Sequence, residues 1–276
     1  MKEFVLLGDE AIGQGALDAG LSGVYAYPGT PSTEITEFIQ KSKEARERKV
    51  HAQWSANEKT AMEAGLGMSY AGKRAMVCMK HVGLNVAADA FINAGMTGVN
   101  GGLVVVVADD PSMHSSQNEQ DSRFYGKFAM IPVLEPATQQ EAYEMTRYGF
   151  DLALPVMLRI TTRLAHSRSA VKRSELRKEN DLKLPTDLKQ FILLPALARK
   201  RYKLLLSTQE KLEQETISSG LNRIEEGEDH SMGIIACGLS HNYYREVAAE
   251  AGLKHPVLKI SQYPVPADLL NEFVKQ

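Results

Sequence analysis

Between residues 24 and 160 the chain alternates short apolar, β-branched runs with longer stretches whose apolar positions recur every three or four residues. Val24-Tyr25-Ala26-Tyr27 is the first such run, and the stretch after it places Ile35, Phe38 and Ile39 on one helical face. The turn between them, Pro28-Gly29-Thr30-Pro31, offers Thr30 as an N-cap and Pro31 as first helical residue, where a missing amide costs nothing. Val50-His51-Ala52-Gln53-Trp54 leads into a second helix that runs to about Ala71. Its start, Ser55-Ala56-Asn57-Glu58, has the spacing of a capping box, in which the serine hydroxyl accepts from the third amide and the glutamate returns to the cap amide. A strand at 75–79, a Gly83-containing turn opening a helix through Ala94, and a strand at 103–108 follow. That last run is continuously apolar, as expected of a central strand covered on both faces. A strand at 131–134, a helix over 139–152 and a strand at 155–160 complete the pattern. The repeated strand-helix-strand order predicts an α/β domain built on a doubly wound parallel sheet.

Ligands of such sheets bind at the carboxyl ends of the strands. Four loops leave those ends: 27–30, 54–58, Lys80-His81-Val82-Gly83-Leu84-Asn85, and 109–117. No G-x-G-x-x-G follows the first strand and no G-x-x-x-x-G-K-[ST] occurs, so neither dinucleotide nor P-loop chemistry is signalled. Gly13 and Gly15 lie inside a helical pattern and read as packing positions.

Composition narrows the classes without choosing among them. The 276 residues are 43% hydrophobic and 24% charged, an ordinary globular balance. A net charge of −2 gives no basic field for nucleic acid. The apolar run after Met1 is too short for a signal peptide and no stretch is long enough to span a membrane, which makes the cytoplasm the expected compartment. Cys78 and Cys237 lie far apart and read as buried free thiols.

From Ser167 the character changes. Residues 169–203 are rich in Lys and Arg and interrupted by Pro185 and Pro195, and residues 207–228 turn acidic with Leu212, Ile217 and Leu221 at helical spacing. A charge run such as Arg199-Lys200-Arg201 reads as a solvated face. A strand at 232–238, a helix at 241–251 and a second strand at 257–260 then begin another α/β unit.

Four stretches in this order carry a resemblance: Tyr27-Pro28-Gly29-Thr30-Pro31-Ser32-Thr33-Glu34-Ile35; Asn57-Glu58-Lys59-Thr60-Ala61-Met62-Glu63-Ala64-Gly65; Met79-Lys80-His81-Val82-Gly83-Leu84-Asn85-Val86-Ala87-Ala88-Asp89; and Thr161-Thr162-Arg163-Leu164-Ala165-His166-Ser167-Arg168. Together they resemble the thiamine-diphosphate-dependent 2-oxoacid ferredoxin oxidoreductases, the alpha subunits of the indolepyruvate type in particular. The resemblance implies that residues 1–168 are a pyrimidine-binding domain holding the aminopyrimidine half of thiamine diphosphate. It implies further that 169–229 are a charged linker and 230–276 the incomplete start of a transketolase C-terminal-like α/β domain. Glu58 then matches the glutamate that hydrogen-bonds the pyrimidine ring nitrogen. A carboxyl in a largely dry cleft can share a proton with that nitrogen and turn the exocyclic amine into a base. The same implication gives Gly29 and Asn85 to the cofactor and Thr30, Lys80, His81, His114 and Arg123 to the substrate. Thr30 serves equally as an N-cap and His81 equally as a satisfied histidine beside a strand end, whereas Arg123 is suited by its fork to a carboxylate.

The departures are equally informative. No Gly-Asp-Gly motif with a following Asn ligand is present for diphosphate and magnesium, and no cysteine array for iron-sulfur clusters. Those groups are expected on a missing segment or a partner: a chain or segment carrying the diphosphate-binding domain and clusters, the beta subunit, and ferredoxin indirectly. The expected reaction is oxidative decarboxylation of an aryl 2-oxoacid to the acyl-CoA, performed by this chain as a subunit or fragment inactive alone. A non-catalytic assembly module, or a different 2-oxoacid, stands as the alternative.

Overall fold

A computed structural model of the protein describes residues 3–152 and 154–276. The chain opens on β1 (Glu3–Leu7) and α1 (Gly8–Asp18), then runs through β2 (Gly23–Ala26), α2 (Thr33–Lys41), α3 (Lys43–Glu47), β3 (His51–Trp54), α4 (Glu58–Tyr70), β4 (Ala75–Lys80), α5 (His81–Thr97) and β5 (Leu103–Asp109). Next come α6 (Arg123–Ala129), β6 (Val133–Leu134), α7 (Gln139–Gly149), β7 (Val156–Thr161), α8 (Thr162–His166) and β8 (Arg168–Lys172). The C-terminal part holds α9 (Pro195–Ser218), β9 (Arg223–Glu225), β10 (Ile234–Cys237), α10 (Ser240–Ala251), β11 (Val257–Ile260), β12 (Gln262–Tyr263) and α11 (Ala267–Lys275).

Seven strands form the central sheet in the order β12-β6-β7-β5-β4-β2-β3. All pairings are parallel except that of β12, which lies antiparallel against β6. Alternation along the strands feeds two cores, as a doubly wound sheet requires. Met76, Cys78, Val104 and Val106 pack with residues of α1, α2 and α7 on one face, and Val77, Met79, Val105 and Val107 with α4 and α5 on the other. The order reverses between β2 and β4: the chain leaves β2 for β3 on one side and returns past it to β4 on the other. Such a switch opens a crevice outside the carboxyl ends of the strands. Gly29, after β2, and Lys80, at the end of β4, flank it closely, since a Cβ added to Gly29 would lie 3.3 Å from Lys80 Cβ.

Two features had no signal in local periodicity. β1 pairs antiparallel with β8 in a separate two-stranded sheet, and α6 raises Arg123 from a loop onto a helix start. Residues 169–229 contain β8 and the 24-residue α9. Their charges are anchored as well, for Arg173 donates to the fully buried Asp18 and Lys73 binds Glu179 at 2.9 Å. The expected strands and helix of the last segment appear as β10, α10 and β11, with β11 between β10 and β9. Asn222 clamps this segment to the central sheet edge by accepting from Ser261 N (2.7 Å) and Gln262 N (2.9 Å). Both cysteines are free; Cys78 is buried, while Cys237 is only half-buried, because β10 borders an open cleft. No helix among the described residues is long and apolar enough to cross a membrane.

Candidate functional site

The capping box expected at Ser55 is not formed. Ser55 N donates to Ala26 O (2.7 Å) and so continues the sheet pairing, and the cap falls to Asn57, whose Oδ1 accepts from Thr60 N (2.9 Å) and Thr60 Oγ1 (3.1 Å). Glu58 is thereby the first residue of α4 and is released from any capping duty. Its half-buried carboxylate makes no hydrogen bond or ion pair among the described residues. It lies instead over the first turn of α5, where a Cβ on Gly83 would come within 2.6 Å of Glu58 Cγ and 2.7 Å of Cδ. Real side chains do not tolerate such contacts, so the absence of a side chain at Gly83 makes room for the carboxylate.

The stretch Lys80 to Asn85, expected as a loop, is the end of β4 followed directly by α5. His81 and Asn85 therefore sit one helical turn apart on the same face. Lys80 is nearly buried and donates its ammonium to Ser115 O, which pins the loop after β5 to the strand edge. Asp110 secures the same loop by accepting from Ser115 N (2.8 Å), Ser116 Oγ and Thr162 Oγ1 (2.6 Å). Burial alone would raise the Asp110 pKa, but these hydrogen bonds and the Lys80 charge hold it down at about 2. His81 is fully buried with Nε2 3.1 Å from Asn118 O, while its Nδ1 is buried without a partner. Asn85 is exposed and accepts from Tyr125 OH at 2.6 Å.

Thr30 stands exposed at the rim and is not a cap, nor is Pro31 helical. A turn closed by Ser32 N donating to Gly29 O (2.9 Å) leaves α2 to start at Thr33. His114 is exposed and lines a cleft of about 570 Å³ together with Arg159, Arg163, Cys237 and Tyr243. Arg123 does not wait with an open fork. Its Nε and Nη2 are held by Asp121 at 2.9 and 2.6 Å, and its Nη1 reaches Tyr263 OH at 3.1 Å and Glu135 at 3.3 Å. A carboxylate two residues away in sequence has captured it.

Behind Arg123 lies a charged cluster that sequence reasoning passed over. Arg159, 7% exposed in the middle of β7, donates Nε to Asp109 Oδ2 (2.6 Å) and Nη1 to Glu135. Burial would lower its pKa, yet the two carboxylates raise it. Asp109 also accepts from Ser122 N (3.1 Å), and Tyr263 OH from the C-terminal segment donates to Glu135 Oε2 (2.7 Å). The available signal was an arginine inside an otherwise apolar strand. Gly29, Glu58, Lys80 and His81 thus lie at or beside the switch-point crevice, with Thr30 next to Gly29 and Asn85 one turn along α5, whereas His114 and Arg123 line the separate cleft bordered by Arg159, Cys237 and Tyr243. One unengaged carboxylate at a helix start, beside a glycine clearing, can accept or share a proton with a ligand but offers no set of oxygen donors for phosphate-bound metal.

Residues 14–225 match the family described as pyruvate flavodoxin/ferredoxin oxidoreductase, thiamine diphosphate-binding. The indolepyruvate oxidoreductase subunit IorA of Archaeoglobus fulgidus is 46% identical over 98% of this chain and 45% of its own length. Its counterpart from Pyrococcus abyssi is 47% identical over 98% of this chain and 43% of that protein. The chain therefore spans a little under half the length of these relatives. Among solved structures, 2-oxoglutarate:ferredoxin oxidoreductase from Magnetococcus marinus superposes with a TM-score of 0.77, at 19% identity, over 99% of this chain and 56% of the other.

Proposed function

The chain belongs to the pyruvate flavodoxin/ferredoxin oxidoreductase family of thiamine-diphosphate-binding proteins, and from that premise we propose that it supplies the aminopyrimidine half of a thiamine diphosphate site in an indolepyruvate-type oxidoreductase. The observation that carries this reading is the Glu58 carboxylate, unengaged over the Gly83 clearing at the sheet's carboxyl edge. A flat ring approaching that edge meets an acceptor at Glu58, which the missing side chain of Gly83 lets lie over α5, so the residues present fit the pyrimidine. Bound there, thiamine diphosphate would supply a nucleophilic thiazolium carbon for the 2-oxo group of the substrate.

Glu58 would hold or share a proton at its carboxyl oxygen opposite a ring nitrogen, the step by which a weak exocyclic amine is made basic. Lys80 and Asp110 act by fixing the 112–118 loop, Asn85 is held by Tyr125 OH, and the exposed Thr30 is placed to orient whatever enters. The diphosphate, its magnesium and iron-sulfur clusters are assigned to another segment or a partner such as the beta subunit. Oxidative decarboxylation of an aryl 2-oxoacid with CoA and ferredoxin is the activity the whole assembly would perform.

Replacing Glu58 by Gln keeps the size and removes the ionisable proton. In the complete enzyme this should lower 2-oxoacid-dependent ferredoxin reduction by about 10²–10⁴-fold, the usual contribution of a positioned acid-base group. Turnover near that of the wild type would overturn the reading and leave an assembly module in its place.

A further inference from the structure

A second cluster, separate from the Glu58 crevice, joins the starts of α1 and α2 to the end of α8. Asp9 is completely buried and neither of its carboxylate oxygens has a hydrogen-bond partner among the described residues. Glu34 Oε2 is likewise buried and unpartnered, and Glu34 Oε1 lies 3.6 Å from His166 Nε2. One donor atom from each of Asp9, Glu34 and His166 falls within 4.8 Å of the other two. Glu10 takes no part, since its carboxylate accepts from Leu7 N (2.8 Å) and pairs with Arg168 (3.4 Å).

A buried carboxylate with nothing to accept from is unfavourable whether charged or neutral, because the ionised form lacks a counter-charge and the protonated form lacks an acceptor for its O–H. The amides of the α1 first turn give Asp9 only a partial positive potential. Two carboxylate oxygens and one imidazole nitrogen, drawn from three elements, are instead the donor set of a divalent first-row ion. With no thiolate among them they favour zinc or manganese over a soft monovalent ion, and the exposed flank of His166 leaves room for water to complete the coordination.

We propose that Asp9, Glu34 and His166 form a binding site for a divalent metal ion, zinc by preference. The ion would tie α1, α2 and α8 together and so hold the start of α2, which follows the Thr30 turn at the rim of the crevice. The proposal is independent of the role given to Glu58.

The test uses the full protein in the assembly in which it is produced, stripped with a chelator and dialysed against zinc, with metal content measured by mass spectrometry and cobalt(II) as a spectroscopic probe. Wild type should retain one equivalent more zinc than Asp9→Asn, Glu34→Gln or His166→Ala. It should also gain thermal stability with zinc where His166→Ala does not, and show cobalt d–d bands that the variants lose. Glu34 and His166 have side chains 38% and 37% exposed, so their variants remain folded even if Asp9→Asn does not. Equal metal content in wild type and His166→Ala, with no zinc-dependent shift in melting, would overturn it.

Discussion

Two carboxylate corners at the same edge of the sheet are built on opposite terms. Around Arg159, Asp109 and Glu135 are buried and engaged from several sides, with Ser122, Arg123 and Tyr263 completing the cluster. Around Gly83, Glu58 is half-buried and engaged by nothing among the described residues. The first corner joins β5, β6 and β7 to the C-terminal segment, and its charges answer one another. The second keeps a proton acceptor open at the cost of a glycine in a helix. A charge satisfied internally argues for architecture, whereas one left open at a switch point argues for a ligand.

The largest effect is expected at Arg159. Arg159→Met removes the cation and leaves Asp109 and Glu135 buried without it, for which a loss of about 3–5 kcal/mol is expected. Chemical denaturation of the assembled protein measures it, and a loss under about 1 kcal/mol would show that the cluster does not hold the fold together.

At the other corner the effect should fall on turnover alone. Gly83→Ala inserts a methyl where Glu58 Cγ and Cδ now lie, and the flexible glutamate can swing away at little cost to the fold. Alanine also favours the helix over glycine by up to about 1 kcal/mol. Activity of the complete enzyme should therefore drop about 10²-fold, as for a misplaced reacting group, with the melting temperature unchanged or raised. If stability and activity fell together, the glycine would be a packing residue and the contrast would dissolve.

How much of this was legible beforehand depends on which forces are local. The β4 and β5 strands announced themselves because a sheet covered on both faces needs continuous apolar runs, and the four polar loops followed from that. The start of α4 did not, since Ser55 and Asn57 both have capping spacing. The choice was made by a bond from Ser55 N to Ala26 O, a neighbour brought by sheet pairing. Arg123 looked open to a carboxylate because the sequence does not reveal that Asp121 turns back onto it. The charge-rich stretch after Ser167 read as a linker because Arg173 and its buried partner Asp18 are 155 residues apart.

Asp110 offers a smaller effect with a pH signature. Its folded pKa of about 2 lies below the ordinary value near 3.8, so the ionised form stabilises the fold above pH 4 and that stability is lost as pH falls through about 2. Discounted for solvent screening, the difference corresponds to about 1 kcal/mol. Asp110→Asn should cost about that much at pH 7, and the gap between variant and wild type should close toward pH 2. A gap independent of pH would assign the loss to geometry rather than to charge.

The smallest effect decides which residue begins the helix that carries Glu58. Removal of an N-cap acceptor costs about 1 kcal/mol, so Asn57→Ala should lower stability by that amount, while Ser55→Ala, whose hydroxyl does not cap α4, should change it by less than about 0.5 kcal/mol. The two changes differ further in function. Losing the Asn57 cap frays the first turn, of which Glu58 is the first residue, and so should lower turnover by more than the stability loss explains. The reverse ranking, with Ser55→Ala the more damaging, would restore the capping box and return Glu58 to the closed class represented by Asp109 and Glu135.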